Sequence, residues 1–198
     1  MLFHLLLPLA DRIGVFNVVR YLTFRTAAAS LTAMLLSFLL GPWLIRKLTA
    51  MKIGQTVRID GPQTHLSKAG TPTMGGSLII LAILGPTLLW ADLRDGYVWA
   101  VTTVVLGYGF IGFWDDYLKL TKKNPKGVSG RVKLAGQIAF GLLAAVMIYR
   151  TPGFSTVMTV PFFKHITIDL GYAYVPFMVL VMVAASNAVN LTDGLDGL

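Results

Sequence analysis

Residues 97–119 read YVWAVTTVVLGYGFIGFWDDYLK, and this stretch decides the fold class. Tyr97 to Trp114 is a run of eighteen residues without a charge. A bilayer core about 30 Å thick is crossed by about 20 mostly apolar helical residues. The run then stops at two adjacent aspartates, Asp115 and Asp116. That pattern predicts a membrane-spanning helix with a charged end.

Four further apolar stretches flank it, at about 26–45, 75–91, 134–149 and 171–189. Each is long enough, or nearly so, to cross a bilayer. The second is interrupted by Gly85-Pro86, and Pro86 should kink it by removing a backbone donor. The expected fold is an all-α integral membrane protein of about five transmembrane helices, with 1–198 as a single membrane domain. Composition agrees. Only 13% of residues are charged, against about a quarter in soluble domains, and the mean hydropathy is +0.69. The N-terminal MLFHLLLPLA is apolar but short and lacks a basic leader, so it reads as an interfacial segment. Residues 155–170 alternate weakly and suggest a short β-hairpin on the periplasmic side.

The 198 residues contain no cysteine, which excludes disulfides, thiolate metal sites and a cysteine nucleophile in this chain. The net charge of +8 does not point to nucleic acid, because the basic residues cluster beside apolar runs as orientation signals do. Loop 46–74 holds Arg46, Lys47, Lys52, Arg58 and Lys68, and loop 115–133 holds Lys119, Lys122, Lys123, Lys126, Arg131 and Lys133. These are eleven of the seventeen basic residues. Both loops are therefore expected on the cytoplasmic side and the N-terminus outside.

All nine acidic residues are aspartates, and Asp60, Asp115, Asp116, Asp193 and Asp196 fall on that cytoplasmic side. Ionisable groups at membrane depth are costly and mark function by default. Asp115 and Asp116 repel each other unless a cation or basic neighbour intervenes. Such hard oxygen donors suit Mg²⁺ shared with substrate phosphates. Lys119 follows at helical spacing, on the same face. The alternative is a solvated helix end with flanking lysines. Gly107-x-Gly109-x-x-Gly112 matches a dinucleotide fingerprint, but that motif needs a preceding strand. Inside an apolar span it reads as helix–helix contact.

The last twelve residues are NAVNLTDGLDGL. Asn187, Asn190, Asp193 and Asp196 recur every third residue, so neighbours share a helix face and could bind a polar head group. A frayed, capped helix end is the plainer reading. Loop 54–76 is rich in Gly, Pro, Thr and basic residues, the materials of phosphate binding, without matching a P-loop. The residues alone thus suggest a metal-dependent site for a diphosphate at the cytoplasmic interface.

FNVVRYLTFR (16–25), DGPQTHLSKAGTPTMGG (60–76), GFWDDYLK (112–119), NPKGVSGRVK (124–133), VPFFK (160–164) and NAVNLTDGLDGL (187–198) strongly resemble the phospho-N-acetylmuramoyl-pentapeptide-transferase family. It lies within the polyprenyl-phosphate N-acetylhexosamine-1-phosphate transferase superfamily. The resemblance covers essentially the whole chain. It implies transfer of phospho-MurNAc-pentapeptide from UDP-MurNAc-pentapeptide to undecaprenyl phosphate, giving lipid I and UMP, with Mg²⁺ as cofactor, in the bacterial inner membrane. It implies Asp115 as the aspartate that activates the lipid phosphate and Asp116 as its partner near metal and diphosphate. It places Lys68, Thr73, Asn190, Asp193 and Asp196 in the nucleotide pocket, and Lys119 with Arg131 or Lys133 near the phosphates; Asn187 is a further substrate-binding candidate. Both a one-step and a covalent two-step mechanism fit. The family forms dimers, so a homodimer is implied.

The family has roughly ten spans, of which about five are expected here by length. A third catalytic aspartate and a histidine-rich loop are expected beyond residue 198, so this chain is read as an N-terminal half, inactive alone. Competing readings are a sister UDP-GlcNAc transferase, a cation-binding transporter, which predicts ion flux without UMP release, and a non-catalytic membrane subunit.

Overall fold

The computed structural model describes residues 1–50, 75–122, 127–163 and 165–194, the side chains at 122 and 190–194 excepted. Six α-helices and one hairpin are found among them, besides short 3-10 turns at Gly14–Arg20 and Gly171–Ala173: α1 (Leu2–Ala10), α2 (Leu22–Ala50), α3 (Gly76–Trp90), α4 (Gly96–Lys122), α5 (Gly130–Tyr149), β1 (Val157–Thr159), β2 (Thr167–Asp169) and α6 (Tyr174–Gly194). Four helical stretches, 22–50, 96–121, 130–149 and 171–189, are long and apolar enough to cross a membrane. The fifth expected span is α3, whose 15 residues reach about 22 Å at 1.5 Å per residue. Pro86 lies inside it, buried. The expected all-α membrane architecture is the one observed, and the chain is a multi-pass membrane protein.

All the spanning helices but α3, which lies within its stretch, run beyond the apolar stretches at one end or both. The fourth helix continues past Trp114 through the aspartates to Lys122. In lipid every backbone polar group must be satisfied within the segment, which makes helix the default. Hydroxyls follow the same rule. Thr32, Ser37, Thr87, Thr102 and Thr103 each donate to the carbonyl four residues earlier, so none carries an unmet donor into hydrocarbon.

The residues group into two compact units, Met1–Arg94 with Gly109–Ser129, and Asp95–Tyr108 with the chain from Gly130 onward. In the first, α2 and α3 pack antiparallel. Trp90 Nε1 donates to Thr32 Oγ1 at 3.1 Å, and Gly85 and Gly41 face Leu36 and Leu78 at close range. The N-terminal segment forms α1, too short to span, and its His4 Nε2 accepts the Leu93 amide at 3.0 Å. In the second, α5 packs antiparallel on α6 and on the start of α4. The contacts are close because the residues are small: Ala100, Ala144 and Ala145 are fully buried. A Cβ on Gly107 would lie 2.2 Å from the Phe140 ring. Small residues that let helix backbones approach are the usual glue in lipid, where apolar burial drives no association. Large side chains point outward instead, with Phe38 and Leu39 70% and 73% exposed.

The expected hairpin is present. β1 and β2 pair antiparallel, with Val157 opposite Asp169, Met158 opposite Ile168 and Thr159 opposite Thr167. Asp169 accepts hydrogen bonds from the Thr156 hydroxyl and the Gly171 amide. These hold its carboxyl below the ordinary value of 3.8.

Candidate active site

Asp115 lies near the C-terminal end of α4 and is buried, 6% exposed. A buried carboxylate needs partners, and both its oxygens have one. Lys119 Nζ sits 2.7 Å from Oδ2, one helical turn on. The Val128 amide donates to Oδ1 at 2.7 Å. The same lysine reaches Asp116 Oδ1 at 3.8 Å, and the Asp116 and Lys119 side chains are about a third exposed, 34% and 37%. The spacing thus gathers the three side chains onto one face, as expected.

The Val128 amide can reach Asp115 because the chain returns over the helix end at Gly127, whose φ is +56°. A Cβ there would lie 2.2 Å from Asp115 Oδ1 and 2.9 Å from Lys119 Cε. Only glycine suits both the left-handed backbone and the close approach. On either side of the aspartates the helix carries aromatic rings, Phe110 on Trp114 at 5.9 Å and Phe113 on Tyr117 at 6.5 Å between centroids. Trp114 and Tyr117 are exposed. Exposed Trp and Tyr are enriched where a span meets the membrane–water interface.

In the second unit Asn187 is exposed on α6, and its side-chain amide donates to Gln137 Oε1 at 2.8 Å and to the Val183 carbonyl at 2.8 Å. Sequence reading missed Gln137. Its signal was available, a lone amide inside an apolar helix, but its partner lies 50 residues away. Arg131 and Lys133 occupy the first turn of α5, Arg131 exposed and Lys133 half-buried. Cations at a helix N-terminus oppose its dipole, so helix stability does not account for them. Asn190 and Asp193 lie on α6 in register with Asn187, their side chains outside the described residues. Lys68, Thr73 and Asp196 lie outside them altogether.

Among the described residues no cluster of three or more His, Cys, Asp or Glu side chains forms a metal cage. The donor set nevertheless suits Mg²⁺, which is commonly held by one or two carboxylates and substrate phosphates. Asp115 and Asp116 would be the donors. Lys119 already neutralises one of them, as a cation at that place would.

The profile of glycosyl transferase family 4 matches residues 98–198. A phospho-N-acetylmuramoyl-pentapeptide-transferase signature matches residues 68–80. Curated relatives bearing that enzyme name align over the whole chain. The one from Syntrophus aciditrophicus (strain SB) is 57% identical over 198 residues and the one from Citrifermentans bemidjiense 52%, each with 55% of its length covered. That of Desulfatibacillum aliphaticivorans is 59% identical over 200 residues, again with 55% covered. The chain spans about half the length of the curated relatives it matches, 55%.

Proposed function

We propose, from the premise that the chain belongs to glycosyl transferase family 4, that it forms part of a phosphoglycosyl transferase making lipid I. The observation that carries this reading is the Asp115–Asp116–Lys119 cluster at the end of a membrane-spanning helix, clamped by Gly127 and Val128. The substrates are UDP-MurNAc-pentapeptide and undecaprenyl phosphate, as the family resemblance implies; the name shared by the relatives supports the phospho-N-acetylmuramoyl-pentapeptide group that is transferred. The site faces the cytoplasm of a bacterial inner membrane, supported by the basic loops around it. By likeness to its family the protein works as a homodimer.

In this reaction a lipid phosphate oxygen forms a bond to the sugar-bearing phosphorus. The bond from that phosphorus to the bridging oxygen breaks, and UMP leaves with the electron pair. Phosphoryl transfer is chiefly positioning and charge stabilisation. Asp115, fixed on both oxygens, is the group oriented toward the lipid phosphate. Asp116 and Lys119 face the diphosphate, the lysine offsetting negative charge. Mg²⁺, held by Asp115 and Asp116, would neutralise the diphosphate and leaving UMP. Arg131 and Lys133 add cations for phosphate. Lys68, Thr73, Asn190, Asp193 and Asp196 bind the nucleotide, and Asn187 contributes to substrate binding.

The test is UMP release by the protein expressed from its full reading frame, with undecaprenyl phosphate and Mg²⁺. UDP-MurNAc-pentapeptide and UDP-GlcNAc are offered separately. Release with the muramyl substrate alone is expected. Release only with UDP-GlcNAc would move the protein to the sister transferases, and ion flux without release would favour a transporter.

A further inference from the structure

The β1–β2 hairpin has two chemically distinct faces. Side chains alternate across a strand, and the register pairs Met158 with Ile168 and Thr159 with Thr167. The pairing extends one step toward the tip, where the Val160 amide donates to the Ile166 carbonyl at 2.9 Å. Met158, Val160, Ile166 and Ile168 therefore share one face. Thr159, Thr167 and Asp169 share the other, with Val157 its one apolar member. The apolar face is only partly covered: Met158 and Val160 are half-buried, while Ile166 and Ile168 are 51% and 46% exposed. At the tip Phe163 is 60% exposed and Phe162 wholly so. Phe162 also adopts φ +70°, a conformation uncommon for a bulky residue. An isolated two-stranded hairpin is marginal in water.

We propose that this hairpin reclines on the bilayer, with its apolar face and Phe162–Phe163 seated in the lipid headgroup–acyl boundary. Three observations choose lipid as the occupant. First, both ends of the hairpin are tethered at membrane level, since α5 ends at Tyr149 and the next apolar span begins at Gly171. Second, its base is continuous with an aromatic band. Tyr149 packs on Phe154 and Tyr172 at 6.2 and 5.9 Å, and Phe154 on Tyr174 at 5.0 Å. Tyr rings at span ends mark headgroup depth. Third, no acidic residue lies between Val160 and Ile168, while Lys164 and His165 do, a charge balance suited to anionic headgroups. An upright hairpin would carry Phe162 about 20 Å from Thr156 at about 3.3 Å per residue. The headgroup layer is only about 5–7 Å deep on each side. Upright, the phenyl rings stand in water; reclined, they leave it.

The test uses the protein from its full reading frame in vesicles of phosphatidylcholine with a minority of phosphatidylglycerol. The 198 residues contain no cysteine, so Phe162→Cys, Ile168→Cys, Thr159→Cys and Thr167→Cys each offer one attachment point. Any cysteine beyond these residues is changed to serine. An environment-sensitive fluorophore is attached, and quenching by aqueous iodide and by spin-labelled phosphatidylcholine is compared. The proposal expects labels at 162 and 168 to be shielded from iodide severalfold relative to those at 159 and 167, and quenched by the labelled lipid. Ile168→Cys keeps the test open where Phe162→Cys fails to fold. Equal iodide access at all four positions would overturn the proposal. Shielding at 162 and 168 from both quenchers would also overturn it, assigning the face to a protein partner or second copy.

Discussion

Replacing Gly127 with alanine attacks the candidate site through its backbone clamp. The new methyl group would sit 2.2 Å from Asp115 Oδ1 and 3.0 Å from its Cγ, so the carboxylate or the loop must move. Either movement breaks the 2.7 Å bond from the Val128 amide. A hydrogen bond to a charged group contributes about 1.5–3 kcal/mol, and about 1.4 kcal/mol is a factor of ten. Turnover should therefore fall about 10- to 100-fold if Asp115 must be held in place to act. The left-handed backbone adds a local cost of about 1–2 kcal/mol for a residue with a Cβ. The assay is UMP release against substrate concentration, with Gly130→Ala as the control. A Cβ at Gly130 meets nothing within 4 Å, and that variant should behave as wild type. A Gly127→Ala protein with wild-type kcat and KM would refute the clamp as a positioning device.

Other outcomes follow from the same geometry. Gly107→Ala should destabilise the protein by about 1–3 kcal/mol through overpacking, since the Phe140 ring lies 2.2 Å from the new Cβ; an unchanged thermal midpoint in detergent would contradict the close approach. Lys68→Ala should raise the KM for the UDP-sugar with little change in kcat, and an unaltered KM would exclude it from the nucleotide pocket. The lowered Asp169 carboxyl gives the hairpin a stabilising contribution that is complete above 3.8. That contribution is lost as pH falls from there through the depressed folded value. Protection of the Gly171 amide from exchange, relative to its intrinsic rate, should drop in that acid range and not near neutrality. In Asp169→Asn the drop should disappear.

The sequence made some of this legible and hid the rest for physical reasons. Apolar runs gave the helices because lipid leaves the backbone no other choice, yet the apolar runs do not mark where every helix ends. Charge ends a hydrophobic run but not a helix, and α4 continues to Lys122. The Asp115–Lys119 pair could be read from helical spacing alone. The Gly127–Val128 clamp could not, since it depends on a loop returning over the helix end 13 residues later. Gln137 and Asn187 are partners only because α5 and α6 pack antiparallel, which local pattern does not encode. The hairpin was visible in its alternation, whereas its exposed apolar face required the register.

The central claim is that Asp115 takes part in phosphoglycosyl transfer, and Asp115→Asn tests it most directly. The substitution keeps the size of the side chain and removes its charge. Measured as UMP release by the full-length protein, turnover should fall by about 3 kcal/mol or more in barrier, roughly 100-fold at least. The thermal midpoint should change far less than the rate. Turnover equal to wild type in a folded Asp115→Asn protein would contradict the account.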